Sequence, residues 1–518
     1  MSNKQSVFSV KQFQSISELS QEEWKKIFPP ILEGYDFLRT VEQTLFHEYT
    51  FYYIAIYKEA EIVSLTPFFV TEYALDTTIK GPLKHVTTWI KTFFPKFLSL
   101  RILISGYPTS NGHLGVKIDN SGEIIPLFHR TVEELMTKER ACIIAFKDFG
   151  EEYSSFLDAF RSFGFYKMRS FPSVRLKIQF NSFDEYLASL SKGARKDLRR
   201  KLRKTSEVPI EMKVQSSLGI WLDQAYDLYL QTLNKGEIQF EVIPKEFFEK
   251  VGSNCSAESK FFLWFQEGKL IAFDFCLAHD GLLIDKYMGL DYQVAYKYHL
   301  YFLTFRDIVK WCIANGIKVY EGGALNYDPK KHLDFSFFVQ YIYCRHKNPI
   351  WNVLLGFLPY ILKPENFDPI IKASYHDFRV ADKKSKTSFS LYWLILFSVF
   401  LQVFAELLFK KAAVSTGIHD IGFSNLLPFL HRLSWNLELW TGFLLYVLNF
   451  FVWITVLSKS ELSIAFPIAS ISYVLIPVLS IIFLHEHLCL FQWLGISLIA
   501  IGIYFVMESN KKKEAQCL

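Results

Sequence analysis

Two stretches of this sequence hold residue types and spacings suited to chemistry, one charged and one strand-like. In "SKGARKDLRRKLRKTSE", eight basic side chains fall between Lys192 and Lys204 against one acid, Asp197. At helical spacing Arg195, Arg199 and Arg203 form one row, and Lys196, Arg200 and Lys204 form the next. Such a surface suits phosphates, whether of a carrier-bound acyl donor, RNA or anionic lipid headgroups. The plainer reading is a solvated helix face. The second stretch puts polar residues at strand ends: Asp285 and Tyr287 in "LIDKYMG", and Glu321 in "VYEGG". Strand alternation predicts that Asp285 and Tyr287 share a face. Glu321 precedes two glycines, where backbone can approach a ligand closely; the alternative is a satisfied edge carboxylate. These three are the candidate catalytic residues. Tyr327, Lys330 and Lys331 follow in "NYDPKKHLDF".

A third set sits in apolar surroundings. "LQVFAELLFKKAA" places Gln402, Glu406 and Lys410 four residues apart on one helical face. Charged groups at membrane depth are costly unless they face protein or water, so they mark a transport pathway. The alternative is a local Glu406–Lys410 ion pair, with the lysine reaching for the interface. Pro467 and Pro477 break helical hydrogen bonds nearby and make that helix bendable.

The elements that position these groups divide sharply. Of 518 residues, half are hydrophobic and 17% aromatic, which excludes general disorder. Residues 387–507 hold only nine of the 109 charged side chains, so a purely soluble protein is ruled out. Four stretches, about 390–409, 439–457, 462–484 and 489–507, are each long enough to span a bilayer. Basic residues flank the set, Arg379, Lys383, Lys384 and Lys386 before it and Lys511–Lys513 after it. Both ends are therefore expected in the cytoplasm, with the protein multi-pass in a bacterial-type inner membrane. The net charge of +5 gives no case for DNA as a partner. Seven cysteines without CxxC spacing suggest reduced thiols, and no metal site is expected.

The first 385 residues carry a faint duplication. "FYYIAIYKEAEIVSLTPFFV" (51–70) parallels "FFLWFQEGKLIAFDFCLAHD" (261–280), each reading as a hairpin. The second copy continues through a strand, a helix ended by Gly316, and another strand. That order predicts a mixed sheet in an α/β or α+β layout.

Two resemblances follow from these segments. "SFDEYLASLSKGARKDLRRKLRK", "GKLIAFDFCLAHDG" and "YMGLDYQVAYKYHLYFLTFRDIVKWCIANGIKVYEGG" resemble the FemAB-type acyltransferases of the GNAT superfamily. The resemblance implies two GNAT folds in tandem and direct attack of an amine on an activated carbonyl. Its co-substrate would be an acyl-CoA, an acyl carrier protein or an aminoacyl-tRNA, with no bound cofactor. Where an ordinary GNAT enzyme has a Gly-rich turn, this chain reads "VAYKYHLY". Lys297 or the basic helix would then hold the donor's phosphates. "LQVFAELLFKKAA", "SELSIAFPIASISYVLIPVLSIIFLHE" and "WLGISLIAIGIYFV" resemble four-span drug/metabolite transporters. The flippase subunits for undecaprenyl-phosphate-linked aminoarabinose and the small multidrug resistance proteins are the nearest kinds. A homodimer is implied, and Gln402 stands where the multidrug pumps have a glutamate.

The expected architecture is an α+β tandem GNAT-like soluble part followed by an all-α four-helix transmembrane domain. Its boundaries are 1–175, 176–385 and 386–510. The expected activity is N-acylation of an amine-bearing metabolite or lipid, with the membrane module moving the product. The competing expectation is a transporter with a non-catalytic GNAT-like regulatory domain.

Overall fold

The computed structural model describes residues 8–28, 31–74, 91–92, 99–117, 121–205, 208–235, 242–356, 359, 363–374, 388–416, 434–457, 465–466, 469–484, 489, 491–499 and 502. Contacts divide the chain into two compact units. One comprises 1–352 with 367–373, and the other 353–366 with 374–518.

The principal elements of the first unit fall into two sets. The first is β1 (Phe8–Phe13), α1 (Gln21–Ile27), α2 (Tyr35–Leu45), β2 (Thr50–Lys58), β3 (Glu61–Ala74), β4 (Ser99–Ser105), β5 (Gly115–Val116), α3 (Ser121–Lys138), β6 (Ile143–Gly150) and β7 (Tyr166–Arg169). The second opens with β8 (Ser173–Lys177), α4 (Phe183–Ser189), α5 (Lys192–Thr205), β9 (Ile210–Gln215), α6 (Leu222–Lys235) and α7 (Lys245–Asn254). It continues with β10 (Ser259–Gln266), β11 (Lys269–His279), β12 (Leu282–Leu290), α8 (Leu300–Ala314), β13 (Val319–Glu321), α9 (Tyr327–His332), β14 (Ser336–Phe338) and β15 (Gln340–His346).

The two sheets repeat one plan. The first runs β1-β2-β3-β4-β6-β15-β7, with β5 on β3; the second runs β9-β10-β11-β12-β13-β8-β14. The fifth strand in each order pairs parallel with the fourth, and every other pairing is antiparallel. The sixth place in each sheet is filled by a strand from the other half. β8 leaves the first half to enter the second sheet, and β15 returns to the first. The strand at residue 175 therefore belongs to the second sheet. The 51–70 and 261–280 hairpins are β2–β3 and β10–β11, and both turn through left-handed residues, Glu59 in one and Glu267–Gly268 in the other. A left-handed pair matches the twist of the flanking strands.

Local signals explain the helices around the sheets. Ser20 caps α1 in a reciprocal box with Glu23, and Ser182 caps α4. Alternation then sorts the strands' two faces. On β11, Phe273, Phe275 and Leu277 join one core with α6 and α7, while Ala272, Cys276 and Ala278 join another with α4, α5 and α8. The first of these cores is shared with α2 and the inner face of β2, so it binds the two halves together. The outer face of the first sheet is covered by α3.

In the second unit, α10 (Ser388–Thr416) packs on α11 (Leu437–Leu457) and on α12 (Ser472–Leu484). Gly442 lies against the Phe409 ring and the Ala405 carbonyl, where a Cβ would come within 2.9 Å of the ring. Among the described residues, Leu437–Leu457 is long and apolar enough to cross a bilayer.

Candidate functional site

A gap opens in the second sheet where two parallel strands part. β12 pairs with β13 only through Leu282–Ile284 and Val319–Glu321. β12 then runs on to Leu290, while the chain after Glu321 turns away through Gly322 and Gly323, the latter at φ +65°. From Asp285 onward no β13 residue pairs with this edge. The matching place in the first sheet is closed by its own loop. Gly112 N–H donates to the Asp148 carbonyl at 3.0 Å. A Cβ on Gly112 would sit 2.3 Å from the Lys147 oxygen, so only glycine can lie that close to β6. The open site therefore belongs to the second half.

At the mouth of the gap β12 is irregular. Phe275 pairs with Tyr287 and Cys276 with Asp285, which leaves Lys286 as an extra residue. Such a bulge reverses the alternation beyond it. The expectation that Asp285 and Tyr287 share a face is corrected here. Tyr287 packs among Tyr229, Phe247 and Phe248, with ring centroids 5.8–6.0 Å away. Asp285 turns to the other face, where the Tyr320 hydroxyl donates to its Oδ2 at 2.8 Å. Lys286 reaches back into the first half, 2.5 Å from Glu33 Oε1 and 2.5 Å from the Thr109 carbonyl.

Asp285 does not stand alone. Asp274 on β11 is 1% exposed, and Cys276 Sγ lies 3.8 Å from its Oδ1. Ligand atoms of Asp274, Cys276 and Asp285 all lie within 4.8 Å of one another. Burial pushes the Asp274 carboxyl well up, and the Asp285 charge pushes it further. Burial also raises Asp285, while Lys330 and the Tyr320 hydroxyl pull it back. Two carboxyls this close cannot both ionise freely, so they titrate as a pair that holds a proton. Lys330, on α9, donates to the Gly322 carbonyl at 2.6 Å and the Leu325 carbonyl at 3.0 Å. Its ammonium is pushed down to about 8 by burial, against the upward pull of Asp285 and Asp274. The spacing of the three ligand atoms would admit a cation. The Lys330 ammonium and the Tyr320 donor already balance the carboxylates, and the set suits a proton better.

Glu321 lies apart from this cluster. It is 3% exposed and accepts from Asn111 Nδ2 at 2.9 Å, Ser173 Oγ at 3.1 Å and Arg175 Nε at 2.8 Å. Three donors occupy its lone pairs, one of them from the first half. The structure thus separates Glu321, Asp285 and Tyr287 and gathers Asp274, Tyr320 and Lys330 around Asp285. Sequence reasoning passed over Asp274 and Tyr320. The usable signal for Asp274 was an acid inside "LIAFDFCLA", the one polar side chain between Lys269 and His279 at the strand's ends.

The basic helix α5 lies beside the start of α8. Thr205 Oγ1 donates to the Tyr298 carbonyl at 3.0 Å, and Lys201 Nζ sits 3.7 Å from the centre of the Phe302 ring. Asp197 pairs with Arg200 and Lys201, both at 2.6 Å. Burial lowers the His299 imidazole, and the Lys204, Lys201 and Arg200 charges lower it further. Lys196, Arg199 and Arg203 are exposed, whereas Arg195 bends back to the Ala188 carbonyl at 3.2 Å.

On α10, Gln402 Nε2 donates to Glu406 Oε1 at 3.1 Å, and one turn earlier Ser398 Oγ donates to Asn449 Oδ1 of α11 at 2.6 Å. Ser398, Gln402, Glu406 and Lys410 thus follow one another at four-residue steps. Pro467 lies outside the described residues.

Residues 15–328 match the model of the FemAB-like family, described as peptidoglycan biosynthesis/recognition. Residues 421–508 match the EamA-like transporter family. Among curated proteins, a putative 8-amino-7-oxononanoate synthase 2 of Mycobacterium tuberculosis is 24% identical over 333 residues, 62% of this chain and 43% of that protein. The chain spans less than half the length of that relative. Among solved structures, FemX aligns over 67% of this chain and all of its own, at 12% identity and TM-score 0.45. L-PGS from Bacillus licheniformis aligns over 65% and 95% at 12% identity and TM-score 0.40. A tandem GNAT protein from the clavulanic acid biosynthesis pathway aligns over 66% and 99% at 9% identity and TM-score 0.39. With more than half its residues matched by one family model and a transporter model matched behind it, the chain belongs to the FemAB-like family and carries an EamA-like domain.

Proposed function

We propose that this protein is a membrane-bound N-acyltransferase whose second half forms an amide on an amine-bearing metabolite or lipid. The observation that carries this reading is the Asp285–Asp274 carboxyl pair at the point where β12 and β13 part. The activated acyl carbonyl lies along the open edge of β12. Backbone groups freed at the Lys286 bulge polarise it as charge develops on its oxygen. The amine attacks, the new C–N bond forms, and the bond to the carrier's sulfur or oxygen breaks. The carboxyl pair, in its singly ionised form, takes the proton that the amine loses and passes it to the sulfur or oxygen of the departing carrier, which returns the pair to its starting state. Glu321 holds Arg175, Ser173 and Asn111 in place and so fixes the rim of the gap.

The EamA-like module then moves the lipid or lipid-linked product across the inner membrane. Four spans, cytoplasmic termini and a homodimer through the membrane helices belong to this reading. The polar steps Ser398, Gln402, Glu406 and Lys410 form its path, to which Pro467 is assigned on sequence alone. The test is amide formation by the full chain in detergent, with acyl-CoA, acyl carrier protein and aminoacyl-tRNA offered as donors. Transfer by the wild type that is lost in Asp285→Asn supports the reading. Absence of transfer with all three donors would leave a transporter with a regulatory GNAT-like domain.

A further inference from the structure

One end of the first half gathers cations that the transfer site does not use. The parallel strands β4 and β6 start there, antiparallel β15 stops there, and α3 ends beside them. Cys142 N–H donates to the Arg101 carbonyl at 2.9 Å and Lys347 N–H to the Cys142 carbonyl at 2.8 Å, which sets these three residues abreast. Lys347 Nζ donates to Thr137 Oγ1 of α3 at 2.8 Å, so the end of that helix belongs to the same surface. Arg101 engages the acids here, Glu139 at 2.7 Å and Glu72 at 3.7 Å. Lys138, Arg140 and Lys347 are exposed, and among the described residues no ion pair holds them. Arg140 follows α3 at φ +53°, a left-handed stop that glycine favours, with Ala141 N–H closing on the Met136 carbonyl at 2.9 Å. An arginine there carries a conformational cost, and it stands between two clefts of about 470 and 630 Å³. Two rings flank the cations. Tyr73, opposite Leu100, is 40% exposed, and Trp351, four residues after Lys347, is 58% exposed.

We propose that this end of the first half docks on an anionic bilayer surface, with Lys138, Arg140 and Lys347 against lipid phosphates and Tyr73 and Trp351 in the headgroup layer. Charge complementarity is the first argument: cations without an acid of their own are attracted to a surface of opposite sign. Composition is the second, because Lys and Arg beside Trp and Tyr make the face that a water–lipid boundary selects. Connectivity is the third. The chain first leaves this unit after residue 352, five residues beyond Lys347, and enters the unit that carries Leu437–Leu457. The connection from Ala74 to Ser99, which departs from and returns to the same end, repeats the composition in its sequence. It has four lysines against one acid, with Trp89, Phe93, Phe94 and Phe97. RNA would satisfy the cations but neither the rings nor the tether. This inference rests on the membrane-bound part of the reading above and not on its transfer chemistry. It leaves α5, in the second half, to the acyl carrier.

The experiment is hydrogen exchange of the full chain in nanodiscs of phosphatidylcholine, with and without phosphatidylglycerol. Amides of 136–142 and 346–352 should exchange about tenfold more slowly in the anionic discs, and high salt should remove the difference. Lys138→Gln, Arg140→Gln and Lys347→Gln together should restore the neutral-disc rate. Arg140→Gly fits the left-handed stop, so it should raise Tm and yet lose part of the protection, which separates docking from folding. Equal exchange in the two kinds of disc overturns the docking and leaves the transferase reading intact. Protection confined to 192–204 overturns it too, by making α5 the lipid face. Salt-sensitive protection of 136–142 and 346–352 by a short RNA, without any effect of phosphatidylglycerol, would replace the bilayer with a nucleic acid. A chain that enters neither kind of disc would sink the membrane-bound reading and the docking together. Loss of amide formation in Asp285→Asn, measured apart in detergent, bears only on the transfer chemistry.

Discussion

Asp285 and Tyr287 lie two residues apart on one strand, yet their side chains occupy opposite faces of the second sheet. Lys286 is the cause, as the extra residue opposite the Phe275–Cys276 step. The consequence is a division of labour. Tyr287 completes the aromatic core against α6 and α7, and Asp285 meets Tyr320, Asp274 and Lys330.

That division is testable by paired substitution. Asp285→Asn removes the proton acceptor and should lower kcat by about 10²- to 10⁴-fold. Tyr287→Phe keeps the ring and should leave kcat within a factor of about two or three, since a core ring tolerates an isosteric change. Steady-state kinetics of the purified full chain check both.

The pH profile reports the same cluster. Burial raises Asp285 and the Asp274 charge belongs to the same pair, so the ionised form needed for proton transfer appears only above the ordinary carboxylate range. The rate should therefore rise with pH across that raised range. Lys330 acts to lower Asp285. Lys330→Met removes that pull, so the acid limb of kcat/KM should move to higher pH. A shift to lower pH, or none, would contradict the placement of Lys330 beside the pair.

How much of this was legible is clear from individual residues. The paired hairpins, the helix ended by Gly316 and the basic helix all follow from local patterns: strand alternation, a left-handed glycine and 3.6-residue spacing. The reciprocal exchange of β8 and β15 was not legible, because both strands read alike whichever sheet they join. The bulge at Lys286 escaped for a related reason. "LLIDKYMGL" alternates well enough as a regular strand, and only its pairing with β11 shows the extra residue. Whether Glu321 was a reactive or a satisfied carboxylate could not be settled from the sequence, because its partners Asn111 and Ser173 lie 210 and 148 residues away.

Glu33 supplies a stability prediction. It is 3% exposed, and although burial would raise its carboxyl, Lys286 and His113 hold it below the usual value of 4.5. A carboxyl with a lowered folded pKa stabilises the fold above its ordinary range and loses that contribution as pH falls through the lowered value. The wild type should therefore lose Tm steeply below about pH 4.5. Glu33→Gln should start lower at neutral pH, since Lys286 is left buried without its carboxylate, and should show a shallower acid limb. Thermal melts at a series of pH values decide it.

The membrane steps are separable from the chemistry. Replacing Gln402, Glu406 and Lys410 together with apolar residues should leave amide formation in detergent unchanged. In cells the product should then accumulate on the inner leaflet. Unaltered distribution between leaflets would reduce the membrane helices to an anchor.

The most direct test of the central claim is comparative lipid and metabolite mass spectrometry of cells lacking the protein, complemented with wild type or with Asp285→Asn. An amide-bearing species should vanish on deletion, return with the wild type and stay absent with Asp285→Asn. Restoration by Asp285→Asn at the wild-type level, or a profile unchanged by deletion, would contradict the assignment of the site between β12 and β13 as an acyltransferase centre.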